Sequence, residues 1–168
     1  NESGYGKSFE KLYDMSKAMD PTRPVHDEAS AFFGGLAGNA GLFSTARDVA
    51  RVYQMLLNGG EIDGQRYLSK ETCQLFTTET SKISRRGLGF DKPDADDPKK
   101  GNCAPAAPAE VYGHTGFTGT CAWVDPMNEL VYVFLSNRIY PDVTNRKLNQ
   151  LHIRERIQGA IYDAMKKK

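Results

Sequence analysis

The run VYGHTGFTGTCAWVDPMNELVYVFL, residues 111–135, carries the strongest architectural signal in the chain. Val111 to Thr115 and Thr118 to Val124 read as two strands separated near Gly116. Asp125-Pro126-Met127-Asn128 reads as a turn, with Pro126 supplying a preset φ and Asn128 able to take a positive one. Leu130 to Leu135 is apolar on both faces, which predicts a strand covered from both sides and central in its sheet.

Downstream, Ile153, Ile157, Ala160, Ile161 and Ala164 recur at helical spacing, and Lys166 to Lys168 suit a helix C-terminus. The natural place for that helix is on the sheet. Upstream, Asp91 to Glu110 shifts to Pro, Asp, Lys and Ala, which predicts a long surface loop, functional or mobile. Asp94, Asp96 and Asp97 lie in it, but Pro98 and the missing EF-hand pattern exclude a calcium loop. Gly87-Leu88-Gly89-Phe90 reads as a short strand approached closely by other chain. Lys82, Arg85 and Arg86 read as a solvated basic turn rather than an anion site.

Further upstream, Val49, Val52, Tyr53, Leu56 and Leu57 share one helical face. Ser44 or Thr45 can cap that helix, Asp48 suits its first turn, and Gly59-Gly60 end it. Asp63-Gly64 marks a tight turn, and Ser69 caps a shorter helix to about Thr77. The polar segment 1–33, broken by Pro21 and Pro24, is expected to wrap a larger body. The expected fold class is α+β. An antiparallel sheet of about three to five strands is packed by a C-terminal helix, with part of a helical subdomain attached. Residues 1–168 then form a single partial domain: 1–33 wrapping, 34–80 helical, 81–168 sheet and closing helix.

Composition narrows the function. The chain has 168 residues with 22 Lys plus Arg against 21 Asp plus Glu, which argues against nucleic acid as a partner. No apolar run approaches the roughly 18 residues of a membrane span, and residues 1–20 do not read as a signal peptide. A start at Asn1 without Met is expected to reflect a removed N-terminal portion. Cys73, Cys103 and Cys121 stand too far apart for a disulfide framework or a zinc site, and His26, His114 and His152 are equally scattered. No metal or cofactor is expected. Gly34, Gly35, Gly38 and Gly41 lack both the Gly-Lys-Ser/Thr of a phosphate loop and a Gly-x-Gly-x-x-Gly after a strand. They read as a loop passing close to other chain.

Gly113-His114-Thr115-Gly116-Phe117-Thr118-Gly119-Thr120 places a histidine and a hydroxyl at a strand end flanked by glycines. Such an edge can align a ligand, or it can be a plain glycine-rich bend. This stretch resembles the third active-site motif of the serine β-lactamase and penicillin-binding-protein superfamily, usually Lys-Thr/Ser-Gly, with His for Lys in some members. Gly35-Leu36-Ala37-Gly38-Asn39-Ala40-Gly41-Leu42-Phe43-Ser44-Thr45-Ala46-Arg47-Asp48 and Gly87-Leu88-Gly89-Phe90 resemble its class C-like branch. The order of these pieces, ending in Ser136-Asn137-Arg138 and a last helix, fits roughly residues 25–165. The likeness extends to domains fused behind family 3 glycoside hydrolases in Bacteroidetes-type bacteria.

The resemblance implies roles. Thr115 would bind a substrate carboxylate or acyl side chain, and Gly116 would let substrate lie flat on the strand. The Phe117 N–H would form half of an oxyanion hole, completed by the nucleophile's own N–H. His114 would stand where Lys usually supplies positive charge, which favours esterase or peptidase over β-lactamase activity. The partner would be an acyl- or peptide-like small molecule, held together with an N-terminal part. Related proteins are exported, so a periplasmic or extracellular location is implied.

The departures are equally informative. The family's chemistry needs Ser-x-x-Lys, and only Ser8-Phe9-Glu10-Lys11 has that spacing, about a hundred residues before His114 and too near for the family layout. A Tyr-x-Asn or Ser-x-Asn motif is absent. The expectation is therefore the C-terminal portion of a serine hydrolase, inactive by itself. The alternatives are a non-catalytic module binding peptidoglycan-like or acyl-peptide ligands, or a structural fragment that self-associates through a sheet edge.

Overall fold

The computed structural model describes residues 27, 29–30, 37–78, 83–97 and 100–167. Nearly all of the segment 1–33, with Ser8 and Lys11, lies outside the described residues, as do Gly34, Gly35 and Lys82. The chain divides into two compact units, Asn1–Thr45 and Ala46–Lys168. In the first, the buried Ser30 hydroxyl donates to the Ala40 carbonyl at 2.8 Å, and Asn39 Nδ2 donates to Asp27 Oδ1 at 2.9 Å.

The second unit opens with α1, Ala46–Leu57. Gly59 and Gly60 have φ of +66° and +93°, and the Gly60 N–H donates to the Met55 carbonyl at 2.8 Å, a left-handed helix exit. The hairpin of β1 (Glu61–Ile62) and β2 (Gln65–Arg66) turns at Asp63 and Gly64, both at positive φ. Helix α2, Lys70–Thr77, starts at Ser69, whose hydroxyl accepts from the Thr72 N–H at 3.1 Å. These elements follow the sequence reading closely.

The main sheet is an antiparallel meander of β3 (Tyr112–Thr115), β4 (Cys121–Asp125) and β5 (Leu130–Phe134), in the order β3-β4-β5. Gly113 faces Trp123 in the β3–β4 register, and Trp123 faces Tyr132 in the next. The expectation of a central 130–135 strand is corrected: among the described residues β5 pairs with β4 alone, and β4 is the central, wholly buried strand. The apolar run reflects cover on two faces rather than strands on two sides. Helix α1 lies against β4 and β5. After the short α3 (Lys147–Gln150), helix α4 (Ile153–Met165) covers the Trp123 side, with Ile161 packed on the core of Cys103, Val111, Cys121, Trp123 and Tyr132.

Polar ties fix α4 in place. The Tyr132 hydroxyl donates to the Arg154 carbonyl at 3.1 Å, and the Tyr162 hydroxyl to Asp125 Oδ2 at 2.8 Å. Asp125 also accepts from the Met127 and Asn128 N–H groups, closing the turn. The positive φ falls on Glu129 at 51°, one residue beyond Asn128. Strand β4 likewise begins at Cys121 rather than Thr118, because Gly116 N–H bonds to the Thr120 carbonyl and makes 116–120 a turn.

Two further corrections matter for the site. Residues 87–90 form a turn, with Gly87 N–H bonded to the Phe90 carbonyl at 3.0 Å, instead of a strand. The expected close approach does occur, since a Cβ on Gly87 would meet the Phe76 carbonyl oxygen at 2.7 Å. The 91–110 segment is not a surface loop throughout: Asp91, Lys92, Cys103 and Ala104 are buried. Arg85 is not merely solvated either. Its Nε lies 2.7 Å from Asp91 Oδ1 and its Nη2 3.0 Å from Oδ2, a two-point ion pair completed by Asn102.

Candidate functional site

The site grows from the outer edge of β3. Gly113 exchanges both backbone hydrogen bonds with Asp91, at 2.7 and 3.0 Å, so Asp91 caps that edge at one point. Backbone groups alternate sides along a strand, so those of Thr115 face the same way as Gly113, beyond the Asp91 cap. Glycine is required at 113, since a Cβ there would lie 2.1 Å from the Ala122 carbonyl oxygen and 2.7 Å from Trp123 Cε3. At Gly116 a Cβ would meet Thr120 Oγ1 at 2.4 Å, so the turn leaving β3 also depends on a missing side chain.

His114 is exposed, Thr115 is half-buried, and Phe117 is 57% exposed. His114 Nδ1 lies 2.7 Å from the Thr115 carbonyl oxygen, and Nε2 lies 2.9 Å from Arg86 Nη1. A guanidinium can only donate, so Nε2 accepts and Nδ1 carries the proton that Thr115 receives. The permanent positive charge beside the ring belongs to Arg86. At the other end of the motif Arg138 lies over the Phe117 ring, 4.6 Å from its centroid, and its N–H donates to the Thr118 carbonyl at 2.9 Å. The motif is thus bracketed by two guanidinium groups.

The sequence-predicted residues His114, Thr115, Gly116 and Phe117 come together as one strand end, as their adjacency requires. Arg86 was the residue missed. It stands 28 positions from His114, and no spacing rule links the two. The informative signal was its neighbour: Arg85 anchors on Asp91, Asp91 pairs with Gly113, and Arg86 and His114 each follow by one residue.

Burial pushes the Cys103 thiol up to about 12, with the nearby Asp91 charge adding, and pushes Cys121 up to about 11. Neither offers a thiolate at neutral pH, so neither substitutes for a serine nucleophile. All three cysteines are free and buried, and the described residues hold no cluster suited to a metal ion. A cavity of about 470 Å³ lies between α1, α2 and Tyr112, and none of residues 113–120 lines it. Its Lys92 ammonium is already bonded to the carbonyls of Thr77, Glu110 and Val111. No helix among the described residues is long and apolar enough to cross a membrane.

Comparison with known proteins adds a family. A model of the family described as Beta-lactamase matches residues 8–155. A protein of Escherichia coli (strain K12) named "Putative D-alanyl-D-alanine carboxypeptidase" is 36% identical over 126 residues, covering 74% of this chain and 29% of that protein. A protein of Salmonella agona (strain SL483) with the same name gives the same identity and coverage. The chain therefore spans 29% of the length of these relatives. A solved penicillin-binding protein homolog from Caulobacter crescentus is 26% identical with a TM-score of 0.42, covering 53% of this chain and 24% of that one.

Proposed function

This chain belongs to the beta-lactamase family, and on that premise we propose that it is the C-terminal part of a serine acyl-hydrolase acting outside the cytoplasm on acyl-peptide substrates. The observation that carries the reading is the half-buried Thr115 at an edge of β3 that Asp91 caps only at Gly113. Substrate lies along that edge beside Gly116, with Thr115 donating to its carboxylate or acyl side chain. The Phe117 N–H turns toward the carbonyl oxygen as charge develops there, and the nucleophile's own N–H completes the oxyanion hole. The serine oxygen bonds to the carbonyl carbon, the scissile bond breaks, and the leaving group takes a proton. Water then cleaves the acyl-serine ester.

The name of the relatives supports the peptidase side of an esterase-or-peptidase choice. The sequence resemblance alone supports a place behind a family 3 glycoside hydrolase. The 168-residue chain by itself is proposed to be inactive, and the same edge without chemistry would serve a non-catalytic module for peptidoglycan-like ligands. The test pairs two measurements on the isolated chain. Fluorescent penicillin is expected to leave it unlabelled, while N-acetyl-D-alanyl-D-alanine shifts the amide NMR signals of His114, Thr115 and Phe117. Stoichiometric acylation would overturn the inactivity, and unmoved motif signals would overturn the cleft.

A further reading, self-association through a sheet edge, draws on β5 having β4 as its sole strand neighbour among the described residues. A monomer in sedimentation at high concentration would remove it.

A further inference from the structure

Helix α4 carries a glycine in its interior, Gly159, although glycine weakens a helix relative to alanine. Packing does not require it: a Cβ there would meet the Ala104 Cβ at 4.0 Å, an ordinary contact. What the bare position does is open a wall. At positions i, i+3, i+4 and i+7, His152, Glu155, Arg156 and Gly159 share one stripe of the helix, and they line a cavity of about 340 Å³. Cys103 and Pro105 line it from the segment that leads into β3, and most of its surface is apolar. None of residues 113–120 takes part.

The carboxylate in that cavity is unsatisfied. Glu155 is half-buried, its Oε2 is buried and meets no hydrogen-bond donor among the described residues, and none of their ion pairs includes it. Two ordinary explanations fail. An acid in the first turn suits the helix dipole, but the dipole does not call for a buried oxygen. A capping box would return the carboxylate to the His152 N–H, and that group already donates to the Asn149 carbonyl at 3.1 Å. Neither His152 nor Arg156, both exposed, reaches it as an ion-pair partner. An acceptor left without a donor in apolar surroundings costs free energy that a donating ligand recovers.

The group that answers this site must bring a donor and a positive charge at one end and an apolar body at the other. A metal ion fits poorly, since one carboxylate cannot replace its oxygen shell and the described residues hold no cluster suited to one. We propose that the cavity is a binding site for a small primary alkylammonium ion, its nitrogen on Glu155 Oε2 and its alkyl chain over Gly159 against Cys103 and Pro105. A volume of about 340 Å³ suits such a compact molecule. The site is separate from the β3 edge and stands or falls independently of the acyl-peptide reading.

The test uses the whole chain and three probes: n-butylammonium, 1-butanol and tetramethylammonium. Butylammonium is expected to shift the Glu155 side-chain carboxyl and Gly159 amide NMR signals saturably. The carboxyl of Asp163, an exposed acid on the same helix, is expected to move much less. Butylammonium is expected to bind about tenfold more tightly than either other probe, because it alone brings both charge and donor. Glu155→Gln is expected to reduce it to the level of butanol, and Gly159→Met, which plugs the cavity, to remove binding of both. Unchanged dispersion of the β4 amide signals shows that each variant is folded, and the comparison of probes needs no variant at all. Butanol or tetramethylammonium binding as tightly as butylammonium overturns the proposal. So do unmoved Glu155 and Gly159 signals, or binding that survives Gly159→Met. Glu155 and Asp163 moving in parallel would mark surface ion pairing alone and overturn it as well.

Discussion

Strand β4 and helix α1 are both written with apolar residues, yet all five residues of β4 are buried and none of the twelve in α1 is. The difference lies in how many neighbours each element has. Strand β4 runs between two strands, with α1 against it and α4 over its Trp123 side. Helix α1 meets the sheet along one stripe and leaves Val52 55% exposed. Apolar periodicity reports which face of an element is apolar, but it is silent on whether anything covers that face. The lesson is a division of labour: stability concentrates in the sheet, in Asp91, Lys92, Cys103 and Ala104 buried beside it and in α4, whose Arg154, Gln158 and Tyr162 are buried, while α1 adds much less.

The largest effect should come from Trp123→Ala, which empties the centre of the core and is expected to cost about 3–5 kcal/mol in urea unfolding. A loss below about 1 kcal/mol would mean that the core is elsewhere. Next comes Asp91→Ala, which leaves Arg85 without its partner and is expected to cost about 3 kcal/mol. Burial alone would raise the Asp91 carboxyl, but the hydrogen bonds from Arg85 and Asn102 and the Arg85 charge hold it below the usual range. Its stabilisation is therefore complete above the unfolded value of about 3.9 and is lost as pH falls through the lower folded value. The gap between wild type and Asp91→Asn should therefore begin to narrow below about pH 4 and close only once pH has fallen below the lower folded value. The smallest effect is expected for Val52→Ser, within about 0.5 kcal/mol of wild type. A cost comparable to that of Trp123→Ala would break the contrast between strand and helix.

What could be read in advance follows the same divide. Local chemistry announced α1 through Gly59-Gly60, the Asp63-Gly64 hairpin and the Ser69 cap, because each signal and its effect lie within a few residues. Residues 113–120 are contiguous, so their gathering at one strand end and turn was equally legible. The position of β5 was not, since a run apolar on both faces looks the same with one strand neighbour, as β5 has among the described residues, as with two. The burial of Asp91 was hidden for a related reason. Its partners are Arg85, Asn102 and the Gly113 backbone, and composition sees only a polar stretch rich in Asp and Lys. Arg86 belongs to this group, because its bond to His114 joins residues 28 positions apart.

The Lys92 ammonium, gripping the carbonyls of Thr77, Glu110 and Val111, has one more consequence. It joins the end of α2 to the chain entering β3 and so makes the intervening segment a closed loop in the polymer sense. Closure entropy grows only logarithmically, with each doubling of loop length costing about 0.6 kcal/mol. Extra residues inserted at the exposed Ala95 and Asp96 would therefore enlarge the ring while leaving its clasp, and the strand end that carries His114 and Thr115, where they are.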